Sequence, residues 1–126
     1  AQAASAPAAE TKFQRVRSVA ELDEVLKTAT RPVMLDFYAD WCVSCKEMER
    51  FTFSDARVAE RMGRMLLLKA DVTANNDEHK ALLKRFGLFG PPGIIFFDAA
   101  GKEREGLRVV GFMKAEPFAT VLDRAL

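Results

Sequence analysis

The chain has 126 residues, a length that suits one hydrophobic core. Hydrophobic residues make up 49% and charged residues 29%, with ten Phe, so there is apolar material to bury and disorder is excluded for most of the chain. Nineteen basic against eighteen acidic residues give a formal net charge of +1; Lys and Arg are scattered among Glu and Asp, and no nucleic-acid footprint forms.

The longest apolar runs, "MLLL" at Met65 to Leu68 and "GIIFF" at Gly93 to Phe97, fall far short of the roughly 20 residues that cross a bilayer, so a soluble chain is expected. The opening "AQAASAPAAE" lacks the basic start and apolar middle of a signal peptide. Residues 1–11 are read as a flexible linker and residues 12–126 as one domain.

"KFQRVRS" suits a short strand. "SVAELDEVLKTA" follows with Ser18 and Glu21 in capping-box spacing and with Val19, Leu22, Val25 and Leu26 at helical period. Arg31 and Pro32 break that helix. "PVMLDFYA" is dense in apolar and aromatic residues around a single acid, which predicts a central strand covered on both faces. A helix opens at Cys42, and Ser54 is a candidate cap for a further stretch, "DARVAERM". "RMLLLKADV" reads as a second buried strand. "NDEHKALLKRFG" has acids first, bases last and Gly87 just beyond, the charge order of a helix. "GIIFFD", a turn at "AAGK" and "LRVVGF" predict an antiparallel hairpin, and "AEPFATVLDRAL" a closing helix with Pro117 in its first turn. A βαβ half followed by a ββα half gives an α/β fold, a mixed sheet with helices on both faces.

The chemistry concentrates in "LDFYADWCVSCKEME", since Cys42 and Cys45 are the only cysteines. A Cys-x-x-Cys between strand and helix is a redox signal. At the first turn of a helix, free N–H groups and the dipole stabilise a Cys42 thiolate, which makes it the nucleophile, and Cys45, three positions on, can resolve a mixed disulfide. A zinc site lacks ligands, because the one other good candidate is His79, read as a solvated side chain on a polar helix. A structural staple gains little from so short a loop.

Asp36 interrupts a run of large apolar residues, so its carboxyl is expected to be buried, to hold its proton unusually tightly and to exchange a proton with Cys45. Glu49 follows Cys45 by four positions, where its charge would raise the thiol pKa, although solvated surface is the ordinary state of a helix glutamate. Lys46 reads as helix surface. Trp41 precedes Cys42 and suits either partner contact or core packing. In "FGPPGIIFF", a proline just before a strand suits either a cis turn beside the site or simple turn punctuation.

These motifs together resemble the thioredoxin family: "DFYADWCVSCKEME" is similar to its strand, Trp-Cys-x-x-Cys and helix, and "GPPG" stands at its cis-proline. The resemblance runs from about Lys12 to Leu126. It implies a thioredoxin fold and a protein-disulfide reductase with no cofactor beyond the Cys42–Cys45 pair. "VMLDFYADWCVSCKEMERFTFSD", "ADVTANN" and "GFM" are similar to a periplasmic electron-relay branch of that family. That branch implies a domain of a bacterial inner-membrane protein that takes electrons from its transmembrane domain and passes them to its N-terminal periplasmic domain, serving disulfide isomerisation and cytochrome c maturation. Cys42 carries over as attacking cysteine, Cys45 as resolving cysteine, Asp36 and Glu49 as the acids that tune the thiols, and Pro92 as the cis-proline; Trp41, Pro91 and Pro92 are expected to contact the partner. Pro91 departs from the family pattern in lacking an N–H, so partner pairing there is expected to use its carbonyl and side-chain packing. A monomer is expected, since no heptad pattern is present. The competing readings are an oxidant or cytochrome-maturation reductase of the same fold, and a non-catalytic binding module.

Overall fold

A computed structural model of the chain describes residues 12–126. The expected linker lies outside them.

A five-stranded sheet in the order β1-β3-β2-β4-β5 organises the domain. Strand β1 (Gln14–Arg15) and β2 (Val33–Tyr38) both run parallel to β3 (Leu66–Asp71). β4 (Gly93–Phe97) runs antiparallel to β2, and β5 (Val109–Val110) antiparallel to β4. Every residue of β2 is buried, as expected of a central strand between two layers.

Helix α1 (Val19–Thr28) starts where the Ser18 hydroxyl accepts the Glu21 N–H at 3.1 Å, and the Glu21 carboxylate reaches back to accept the Arg17 N–H at 2.8 Å. Helix α4 (Asp77–Arg85) is capped by Asn76 and ends in a Schellman turn. There Gly87 donates to the Lys84 carbonyl, Leu88 donates to the Leu83 carbonyl, and Gly87 takes φ +68°, a conformation a side chain would resist. These two helices cover one face of the sheet over Val33, Leu35, Phe37, Leu68 and Ile95. The opposite face, with Met34, Leu67, Ile94 and Phe96, is covered by α3 (Ala56–Met62) and α5 (Ala115–Ala125), through Val58, Met62, Phe118 and Leu122.

Three expectations need correction. Helix α3 is capped by Asp55, whose carboxylate accepts the Arg57 and Val58 N–H groups; Ser54 instead donates its hydroxyl to the Arg50 carbonyl at 2.5 Å and closes the preceding segment. The helix opened by the cysteines is also not uniform: α2 (Val43–Glu47) runs into a π-helical segment, Met48–Phe53. Finally, the hairpin is interrupted. After the turn at Asp98 one bridge pairs Phe97 with Glu103, a 3-10 turn covers Glu105–Leu107, and β5 keeps only Val109 and Val110. Arg108, between the 3-10 turn and β5, donates its guanidinium to the Glu103 carboxylate and to the Phe86 carbonyl at 2.7 Å.

Candidate functional site

Strand β2 ends at Tyr38, and four residues later Cys42 occupies the N-cap of α2 with extended backbone, φ −95° and ψ 104°. Its own N–H donates to the Ala39 carbonyl, which turns the chain from strand to helix. In that position the Cys42 sulfur accepts the Cys45 N–H at 3.1 Å, as a serine oxygen would at an ordinary N-cap. A helix N-terminus favours the anionic form of a group so placed. Cys42 and Cys45 are joined as a disulfide with Cα atoms 5.3 Å apart. Both residues are buried, and the Cys45 sulfur lies 3.7 Å from the Phe37 carbonyl oxygen, where its thiol can donate once the pair is reduced.

Beneath the cysteine helix, one step of the sheet is charged. Strand register sets Asp36 beside Lys69 of β3 on one side and Ile94 of β4 on the other. Asp36 is only 5% exposed, and burial pushes its carboxyl up to about 8, far above the usual carboxylate range. The Lys69 ammonium opposes that rise and the Glu49 carboxylate adds to it. Glu49, in the π-helical segment, accepts a hydrogen bond from Lys69 Nζ at 3.0 Å. Lys69 also sits 4.4 Å over the Tyr38 ring, and the Tyr38 hydroxyl lies 3.0 Å from Lys46 Nζ. Asp36, Glu49 and Lys69 thus form one electrostatic unit at the cysteine end of β2.

At the rim, the Trp41 indole is 59% exposed and donates Nε1–H to the Thr73 carbonyl at 3.0 Å, which excludes core packing. The Thr73 hydroxyl accepts the Asp40 N–H at 2.9 Å and bonds to Asp71, so the loop after β3 holds the approach to Cys42 from two directions. The Pro91–Pro92 bond is cis, and the Pro92 carbonyl accepts the Gly111 N–H at 3.5 Å. A Cβ at Gly93 would lie 2.9 Å from Leu88 Cδ1, so a larger residue there would have to displace the Leu88 side chain.

His79 is corrected: it is 7% exposed rather than solvated, because it shares the inward stripe of α4 with Leu82, Leu83 and Phe86. Its Nδ1 has no hydrogen-bond partner among the described residues. Lys46 is exposed but serves Tyr38, by hydrogen bond and from 5.5 Å over its ring. Sequence reasoning missed Lys69 and Thr73. A lysine inside the apolar run "LLLKAD" was the available signal for the first; Thr73 acts partly through its backbone carbonyl, which no side-chain pattern encodes. Among the described residues no group of three or more His, Cys, Asp or Glu is placed to hold a metal ion.

Comparison with known proteins agrees with this geometry. A family model described as a thioredoxin-like domain matches residues 19–126. The thiol:disulfide interchange protein DsbD of Ralstonia nicotianae is 62% identical over 117 residues, 90% of this chain and 19% of its own length. The DsbD of Pectobacterium atrosepticum is 52% identical over 112 residues, covering 89% and 19%. The chain therefore spans about a fifth of the length of the curated relatives it matches. Among solved structures, the oxidised C-terminal domain of Neisseria meningitidis DsbD superposes with a TM-score of 0.74 at 40% identity, covering 90% of this chain and all of that one. A thioredoxin from Halobacterium salinarum superposes at 0.68 with 28% identity and 90% coverage of both. With the family model over residues 19–126 and a DsbD C-terminal domain matched over its whole length at 40% identity, the chain belongs to the thioredoxin-like family and, within it, to the C-terminal domains of DsbD.

Proposed function

We propose that this domain is a protein-disulfide reductase, an oxidoreductase working by dithiol/disulfide exchange. The observation that carries the reading is the Cys42 sulfur at a helix N-cap, accepting the N–H of the same Cys45 to which it is disulfide-bonded. In the reduced domain the Cys42 thiolate attacks one sulfur of a partner disulfide, forms a mixed disulfide and expels the other partner sulfur as a thiolate. The Cys45 sulfur, once deprotonated, attacks Cys42, closes the intramolecular disulfide and releases the second partner sulfur. Two electrons and two protons pass to the partner, and no further cofactor enters the balance.

Asp36 is the proton acceptor for Cys45 in this scheme. A carboxyl whose pKa lies at about 8 can both take and return a proton near neutrality. Glu49 adds negative charge to the same unit and Lys69 restrains it. Trp41, Pro91 and Pro92 form the partner-facing rim; the Pro91 carbonyl and ring, rather than an N–H, meet an incoming segment. In the intact protein we assign the domain to the periplasmic side of the bacterial inner membrane, taking electrons from the transmembrane domain of DsbD and giving them to its N-terminal periplasmic domain. No helix among the described residues is long and apolar enough to cross a membrane.

The test is the reduction potential of the Cys42/Cys45 pair, equilibrated against a defined thiol buffer. A value between about −270 and −200 mV, the range of thioredoxin and glutaredoxins, supports an electron donor. A value near −120 mV, roughly that of DsbA, would make the domain an oxidant and overturn the direction of transfer.

A further inference from the structure

The segment that carries Glu49 is held from the side by a single backbone position. Met113, in the loop between β5 and α5, donates its N–H to the Met48 sulfur at 3.3 Å, and its carbonyl accepts the Thr52 hydroxyl at 2.5 Å. Met48 and Thr52 are both buried, at 2% and 0% exposure, and they bracket Glu49 in the π-helical segment Met48–Phe53. The two bonds to Met113 fix how that segment is turned about its own axis.

A threonine inside a helix ordinarily bends its hydroxyl back to a carbonyl of its own preceding turn. Thr28 does so in α1, reaching the Val25 carbonyl at 3.3 Å, and Thr120 does so in α5, reaching the Glu116 carbonyl at 3.4 Å. Thr52 instead donates to a residue 61 positions along the chain. π-helical turns are rare and frequently mark functional sites. Here the turn sets Met48 and Thr52 on the Met113 loop, while Glu49 accepts from Lys69 Nζ at 3.0 Å and Phe53 packs on Phe118 with ring centroids 5.8 Å apart. The apolar contacts of Met48 and Phe53 in the core are non-directional, whereas a hydrogen bond weakens steeply with angle. The Thr52 hydroxyl is therefore the group able to hold one rotation of the segment against another.

We propose that Thr52 is a positioning residue for Glu49: its bond to the Met113 carbonyl holds the π-helical segment in the rotation that keeps the Glu49 carboxylate on Lys69, beside Asp36. The proposal rests on the exchange reading above and deepens it, since Asp36 and Glu49 are the acids assigned there to the thiols. Lys69 of β3 and Glu49 are the charged groups that act on Asp36, whose neighbour on the β4 side is Ile94. Without the Thr52 hydroxyl, Glu49 leaves Lys69 and the ammonium acts on Asp36 uncompensated. The Asp36 carboxyl then gives up its proton at lower pH, the direction also expected of Glu49→Gln.

The experiment titrates the Asp36 carboxyl by carbon-detected NMR in the disulfide form of the domain. Thr52→Val keeps the branched shape and loses the hydroxyl; Thr52→Ser keeps the hydroxyl and loses the methyl. Thr52→Val is expected to lower the Asp36 midpoint by at least about half of the shift that Glu49→Gln produces, and Thr52→Ser to leave it at the parent value. In a Glu49→Gln background, Thr52→Val moves the midpoint no further, because the side chain it positions is gone. Where Thr52→Val does not fold, Thr52→Ala against Thr52→Ser carries the same contrast, since those two variants differ in the hydroxyl alone. A parent-like midpoint without the hydroxyl, or an equal shift with and without Glu49, would overturn the assignment and leave Thr52 a packing residue. Failure of the reduced domain to reduce any protein disulfide would instead count against the exchange reading and leave the titration result standing.

Discussion

Strand β2 presents two different faces, and the contrast between them separates what folds this domain from what makes it reactive. On one face Val33, Leu35 and Phe37 meet Leu68, Ile95 and Phe86, an apolar layer whose burial stabilises the fold without electrostatic cost. On the other, Met34 opens an equally apolar row with Leu67 and Phe96, but the next position along is Asp36 beside Lys69. Alternation along a strand makes this possible, since one residue's shift turns a side chain from one layer to the other. The charged step lies toward the strand end that leads to Cys42, so the domain confines its costly buried carboxyl to the end of the sheet where the cysteines sit.

Mutation can break this comparison from either face. Phe37→Ala removes a fully buried ring whose edge meets Phe86 at 5.9 Å between centroids. It should cost roughly 3–5 kcal/mol in urea denaturation, and a loss below about 1 kcal/mol would mean the apolar face is not the main support.

The Asp36 side should behave in the opposite sense. Folded Asp36 holds its proton up to about pH 8, against about 3.9 for an aspartate in an unfolded chain, so the native state binds more protons in that window. Stability then falls as pH rises from about 4 to about 8 and levels off beyond. Asp36→Asn removes this decline and should be more stable than the parent by a few kcal/mol at pH 8.5, with little gain at pH 4. Identical pH profiles for the two proteins would show that Asp36 ionises normally in the fold.

Its neighbours shift the window in opposite directions. Without the Lys69 ammonium, as in Lys69→Met, the Asp36 pKa rises further and the decline extends to higher pH; Glu49→Gln lowers it and ends the decline earlier. Titration of the Asp36 carboxyl by carbon-detected NMR in both variants checks the two signs. Shifts of the same sign would mean that the three side chains do not act as a unit.

The smallest effect is expected at Trp41, where Trp41→Phe keeps an aromatic ring but loses the hydrogen bond to the Thr73 carbonyl. Stability should change by about 1 kcal/mol or less, while the rate with a protein disulfide falls more than the rate with a small one. Equal losses for both substrates would argue against a partner-facing role.

Much of this was legible before the structure. The apolar run around Asp36 predicted a central strand and a buried carboxyl, and Cys-x-x-Cys after that strand predicted a helix N-terminus at Cys42. What stayed hidden was set by geometry with no compositional mark. Ser54 and Asp55 are both good cap formers, and the choice went to the carboxylate, which serves two N–H groups while Ser54 closes the turn before it. The π-helical register over Met48–Phe53 departs from the 3.6-residue period that sequence reading assumes. His79 was misread because polar neighbours outweighed its place in the inward stripe of α4. The pairing of Lys69 with Asp36 depends on parallel strand register, which pattern alone does not supply.

The most direct test of the exchange mechanism is to trap it. The domain carrying Cys45→Ala, reduced and mixed with a protein disulfide, should accumulate a one-to-one mixed disulfide through Cys42 that mass spectrometry identifies and reductant reverses. The Cys42→Ala counterpart should accumulate little or none. An adduct that forms only through Cys45, or none with either variant, would contradict the assignment of Cys42 as nucleophile and Cys45 as the resolving partner.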